Sequence, residues 1–166
     1  MRHNTLRVKF GLAAGENVVK IYIMEKVIQL SGRDCMSVEV NEQSGAVTRV
    51  KVFGCRHLLK LVGELRRTYG VHPQNWPLPH STDHASLLVR KFILVLKNQW
   101  QLPVEGDEIC HCRQISSAVV EEAIMSGAHT PELVSRWTSA STACGTCRPI
   151  VSEVLQYLLP SEQNNS

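Results

Sequence analysis

No apolar run in this 166-residue sequence approaches the ~20 residues that a membrane-spanning helix requires, so no such helix is expected. Aromatics are scarce, at three Trp, three Tyr and three Phe, and they are not interleaved with Lys and Arg. With a formal charge of only +3, that leaves neither a base-stacking platform nor a phosphate-gripping patch, and no nucleic-acid partner is expected. Glycine-rich phosphate loops and nucleophile elbows are missing too, so side-chain catalysis is not indicated and the chain is not expected to be an enzyme. The opening Met1-Arg2-His3-Asn4-Thr5 carries no apolar signal core. The expected compartment is therefore a reducing cytoplasm, where cysteines bind metal or do redox work more often than they form bridges.

What is present is cysteine, six in all, four of them in two tight pairs. Cys110-His111-Cys112 forms the first pair and Cys144-Gly145-Thr146-Cys147 the second. A 2Fe-2S cluster asks for this, because two irons each need two protein ligands and four thiolates supply them. Structural zinc also takes four thiolates, though more usually from C-x-x-C or wider pairs, and disulfides would need an oxidising compartment.

Local signals place each pair beside a helix. After the second pair, Arg148-Pro149 leads into Ile150, Val151, Val154, Leu155, Leu158 and Leu159 on one helical face, with proline suited to a first turn. Free N–H groups and the positive dipole end there favour thiolates and an anionic cluster. After the first pair, Ser116 or Ser117 caps a helix through Val119, Val120, Ala123 and Ile124, with Gly127 as its stop. Thr130-Pro131 opens a third helix through Leu133, Val134 and Trp137, and residues 138–143 return the chain to the second pair. Arg113, Arg148 and His111 are the candidate charges around the cluster.

Ahead of this lies a stretch of different texture. Leu6 to Phe10 and Val18 to Met24 read as strands, and Met36 to Val40 with Val47 to Phe53 as a hairpin across the turn Asn41 to Gly45. Leu58 to Leu65 marks a helix stopping near Gly70, His72 to His80 is a proline-rich loop, and Ala85 to Trp100 is a second helix. Asp83 is expected as that helix's cap and His80 as a loop residue, although the pair beside His84 could also be read as a metal cluster. Residues 101–108 read as a linker and 161–166 as a frayed tail.

The ICHC motif, the serine-capped helix, the Thr130-Pro131-Glu132-Leu133-Val134 turn and the Ala143-Cys144-Gly145-Thr146-Cys147-Arg148-Pro149 run resemble the 2Fe-2S domain of bacterioferritin-associated ferredoxin (BFD), which is similar to the middle domain of NifU proteins. The resemblance covers roughly residues 108–160. It implies an all-α helical domain holding one 2Fe-2S cluster through Cys110, Cys112, Cys144 and Cys147. About residues 30–100 resemble the IscU-type scaffold that stands first in NifU proteins. The match rests on Gly32-Arg33-Asp34, with glycine in place of that family's first cysteine, on Phe53-Gly54-Cys55, and on His84-Ala85-Ser86, which keeps a histidine and loses a cysteine. Leu78-Pro79 keeps the first two residues of the family's chaperone motif. The matched positions Asp34, Cys55 and His84 form a vestigial scaffold site; the plainer roles are capping or pairing for Asp34, packing for Cys55 and a helix start for His84. Cys35 matches no family ligand and reads as buried or incidental.

The expected fold is α+β: residues 1–105 as a small antiparallel sheet with packed helices, 106–160 as an all-α BFD-like domain, and 161–166 as a disordered tail. The resemblances imply a NifU-like role in iron-sulfur cluster assembly or delivery, with a cysteine desulfurase or a client apoprotein as partner. The alternative is a ferredoxin passing single electrons to a redox partner. A sensor read through its cluster state is a third class, and a homodimer is compatible with each.

Overall fold

A computed structural model describes residues 4–12, 18–30 and 32–160, with side chains from residue 23 onward. The described chain is α+β, as the patterning requires. It groups into two compact units. The first takes the described residues up to Leu78 together with Phe92–Asn98, and the second takes Pro79–Lys91 together with the described residues from Gln99. The grouping thus divides the second long helix.

The first unit is built on a four-stranded antiparallel meander: β1 (Asn4–Leu12), β2 (Val18–Leu30), β3 (Asp34–Asn41) and β4 (Val47–Phe53), paired in that order. β2 runs past the Met24 end expected from its pattern. Its inward positions continue as Ile28 and Leu30, both buried, but Lys26 occupies the inward position between and interrupts the apolar alternation. Lys26 is tolerated there because its Nζ donates to the Val95 carbonyl (2.9 Å) and Asn98 Oδ1 (3.1 Å). The β3–β4 turn forms as its residues dictate. Asn41 Oδ1 accepts from the amides of Gln43 and Ser44, and Gly45 takes the positive φ (67°).

α1 (Arg56–Tyr69) buries Leu58, Val62 and Leu65, and Gly70 ends it at φ 74° while its N–H reaches the Arg66 carbonyl. α2 (His84–Leu96) is shorter than expected. Asn98, at φ 56°, takes the left-handed turn that stops it, and asparagine adopts that conformation more readily than most residues. Trp76 and Phe92, fully buried, pack at 6.0 Å between ring centroids, with the indole N–H donating to the Gly70 carbonyl.

In the second unit, α3 (Ser117–Met125), α4 (Pro131–Thr138) and α5 (Arg148–Leu158) appear where the caps place them. Ser116 Oγ accepts from the Val119 amide and Thr130 Oγ1 from the Leu133 amide. Gly127 (φ 123°) closes α3 while the Ala128 N–H reaches back to the Ala123 carbonyl, a Schellman ending. The unit is not all-α: β5 (Glu108–Cys110) pairs antiparallel with β6 (Ile115–Ser116), so the first cysteine pair stands on a small hairpin. Strands of three and two residues have no room for a readable alternation, which is why they escape pattern reading. The expected linker at 101–108 is packed instead, since Leu102 and Val104 lie against the core and the Gln101 amide donates to Tyr157 Oη (3.0 Å).

No helix among the described residues is long and apolar enough to cross a membrane.

Candidate metal centre

The second unit's core determines where the cysteines stand. Val120, Ile124, Val134, Val151 and Val154 are almost fully buried, and Ile109, Cys110 and Cys147 belong to the same cluster. Cys110, the last residue of β5, is 2% exposed, and Cys147, the N-cap of α5, is 6% exposed. Cys112, in the turn between β5 and β6, and Cys144, in the loop before α5, are exposed. One inner and one outer thiol thus come from each pair, and all four line one open cavity of about 670 Å³.

The sulfurs are close enough to interact. Cys112 Sγ lies 3.1 Å from Cys144 Sγ. Burial pushes the Cys110 thiol up, but the Ser141 backbone N–H, then the Cys147 thiol and the Arg113 backbone N–H, outweigh it, so the thiol sits below its ordinary value. Cys144 is lowered to about 7 by the Thr146 hydroxyl first, then by Cys112 and the Thr146 backbone N–H. Cys112 is raised by Cys144, through their hydrogen bond and the charge on its sulfur. Of these two exposed thiols, Cys144 is the readier to ionise. Metal ligands must be thiolates, so this donor set suits a thiophilic centre.

Two hydroxyls that cysteine spacing does not reveal complete the surroundings. Ser141 Oγ lies 3.0 Å from Cys147 Sγ, and Ser141 adopts φ 62°. Thr146 provides the other. Of the charges expected around the centre, Arg148 pairs with Glu132, and His111 Nδ1 stands 3.0 Å from Glu108 Oε1 with its side chain 85% exposed. Arg113 contributes through its backbone, whose N–H reaches the Cys110 carbonyl at 3.3 Å.

The residues that the sequence matched to a scaffold site have local roles as well. Within the first unit, Asp34, 3% exposed, accepts the Cys55 amide on Oδ1 (2.9 Å), and Cys55 caps α1 by accepting the Leu58 amide on Sγ (3.4 Å). Cys55 is thus a helix cap, a role its sulfur fills only weakly. Cys35, in β3, is partly buried and sits opposite Phe53 of β4. His84 is the first residue of α2, in the second unit. Asp83 caps α2, with Oδ1 accepting from the amides of Ala85 and Ser86, and His80 is exposed.

Comparison with known proteins agrees with this site. Residues 108–157 match the family described as BFD-like 2Fe-2S binding domain, and this segment is a 2Fe-2S-binding domain. Among curated proteins, 58 residues are 33% identical to an assimilatory nitrate reductase electron transfer subunit of Bacillus subtilis strain 168, covering 34% of this chain and 8% of that protein. A further 59-residue match, 36% identical, is to an NAD(P)H nitrite reductase of the same organism, covering 35% of this chain and 7% of that one. The large subunit of an NAD(P)H nitrite reductase from Klebsiella oxytoca is 31% identical over 58 residues, which is 35% of this chain and 6% of its own length. The chain thus spans less than a tenth of the length of each of these relatives. No solved structure matches significantly. The family match covers the BFD-like segment alone, so the IscU-type resemblance of residues 30–100 gains nothing from it.

Proposed function

We propose that this protein is a one-electron carrier whose 2Fe-2S cluster is held by Cys110, Cys112, Cys144 and Cys147. The observation that carries the reading is the convergence of these four thiols on one cavity, two buried in the core and two at the surface. The buried pair anchors the group against a rigid packing cluster, and the exposed pair leaves it within reach of a redox partner. When bound, the cluster supplies reversible one-electron chemistry, while the protein sets its potential through hydrogen bonds to sulfur, charge and exposure. Relatives named as a nitrate reductase electron transfer subunit and as nitrite reductases support electron carriage over assembly. The chain is then a carrier rather than an enzyme, placed in the cytoplasm, where its thiols stay reduced.

A NifU-like role in assembly is the second reading. Its support is the meeting of Asp34 with Cys55 at the β4–α1 junction, which keeps a fragment of the scaffold pattern. That role would bring a cysteine desulfurase or a client apoprotein as partner, yet a labile site needs more thiolates to accept sulfur and iron.

Anaerobic purification with iron, zinc and acid-labile sulfide assays tests the first reading. Two irons and two sulfides per chain, a visible absorption spectrum that bleaches and returns on reduction and reoxidation, and loss of that colour in Cys110→Ser or Cys147→Ser are expected. A colourless protein carrying zinc alone would defeat it. Incubation with desulfurase, iron and cysteine separates the two roles, because a cluster that passes to an apoprotein without reversible reduction would move the assignment to assembly.

A further inference from the structure

The cavity holding the four sulfurs is lined by more than cysteine. Pro103 and Ile150 are exposed and Val104 is partly exposed, giving it an apolar wall. Around that wall stand three exposed carboxylates, Glu105, Glu108 and Glu153. No lysine or arginine lines it among the described residues, although the chain as a whole carries +3. Arg113 follows Cys112 in sequence without lining the cavity, and Arg148 is paired with Glu132. A mildly basic chain thus presents a locally acidic and apolar face at the site where electrons would leave.

We propose that this face is the docking surface for a separate redox protein whose own cofactor is surrounded by lysines and arginines. The inference rests on the electron-carrier reading and names the kind of partner it takes. The carboxylates steer an electropositive face onto the cavity, where field lines from one sign of charge raise the encounter rate. Pro103, Val104 and Ile150 then give the contact an apolar centre that excludes water, as the middle of a protein interface does. The same carboxylates lie beside an anionic cluster and disfavour its reduction, so a cationic partner face relieves that repulsion while it is docked. Of the three, Glu108 is shared with His111, which leaves Glu105 and Glu153 as the charges to remove.

The test uses the cluster-loaded full chain. Its reduced form is mixed in stopped flow with a basic cytochrome c, with hexaammineruthenium(III) and with ferricyanide, at ionic strengths from roughly 0.01 M to 1 M, where the screening length falls from ~30 Å to ~3 Å. Glu105→Gln combined with Glu153→Gln should slow oxidation by cytochrome c about three- to tenfold at low salt and flatten its salt dependence, while ferricyanide oxidation quickens. Because the cluster is itself anionic, this change between variant and parent is the decisive quantity. Ile150→Ser should slow cytochrome c while leaving the two small complexes unaffected. Equilibrium binding of zinc-substituted cytochrome c, read by fluorescence, should weaken in the same order without any electron transfer. Unchanged rates and binding in the double glutamine variant would overturn the proposal, as would equal exchange with an acidic flavodoxin. Both results would come from protein whose visible absorbance is intact. A colourless parent chain would instead remove the electron-carrier reading itself.

Discussion

Ser141 and Thr146 stand on either side of the Cys144-Gly145 dipeptide, and each turns a hydroxyl toward a sulfur, Ser141 toward Cys147 at 3.0 Å and Thr146 toward Cys144. A hydrogen bond to a thiolate strengthens as the attached centre gains charge, so it favours the reduced state. Ser141→Ala should lower the reduction potential by tens of millivolts, the scale set by one hydrogen bond of about 1 kcal/mol in a one-electron couple. Ser141→Gly should lower it equally while relieving the cost, about 1 kcal/mol, of holding serine at φ 62°. Protein-film voltammetry reads the first effect and thermal unfolding the second; a potential unmoved in both variants would deny the hydroxyl its role. In the metal-free chain, iodoacetamide should label Cys144 before Cys112 within the exposed pair as pH rises, with a Cys144 midpoint of about 7, because the first thiol is lowered and the second raised. Thr146→Val removes the leading cause and should move the Cys144 midpoint upward.

At the scale of elements, caps and close approaches decide where helices begin. Cys55 lies between Gly54 and α1, where a Cβ added at Gly54 would stand 2.1 Å from Asp34 Oδ1. Gly54→Ala must therefore displace the carboxylate that accepts the Cys55 amide, and should cost roughly 1–3 kcal/mol in urea unfolding, the penalty for an unmade buried hydrogen bond. Cys55→Ser should be tolerated or stabilising, since a hydroxyl caps a helix better than a thiol. Loss of stability in the serine variant would mean that Cys55 holds something its capping role leaves out. The helix starts at Ser116, Thr130 and Pro149 were legible from residue type because capping is local chemistry. The β5–β6 hairpin was not, because it is too short for a period and forms only when Ile109 and Ile115 reach the core that the three helices build.

For the molecule as a whole, cluster binding should be coupled to folding in the unit that carries the cysteines. Cys110 and Cys147 sit inside the apolar cluster of that unit, so ligand loss is expected to loosen the hairpin and the loop before α5. Removal of iron by an anaerobic chelator should raise amide hydrogen exchange over residues 108–116 and 139–148, read by mass spectrometry. Unchanged exchange there would mean that the site is built without its metal.

The number and spacing of the cysteines, and the helix caps beside them, were set by the sequence alone, since ligand count follows from the demands of two irons and caps from neighbouring residue types. Tertiary packing decided the rest. It buried one thiol of each pair and exposed the other, brought Cys112 to Cys144, and drew Glu105 and Glu153 from separate stretches to one cavity. Those relations join residues far apart in the chain, and only the closing of the core determines which of them meet.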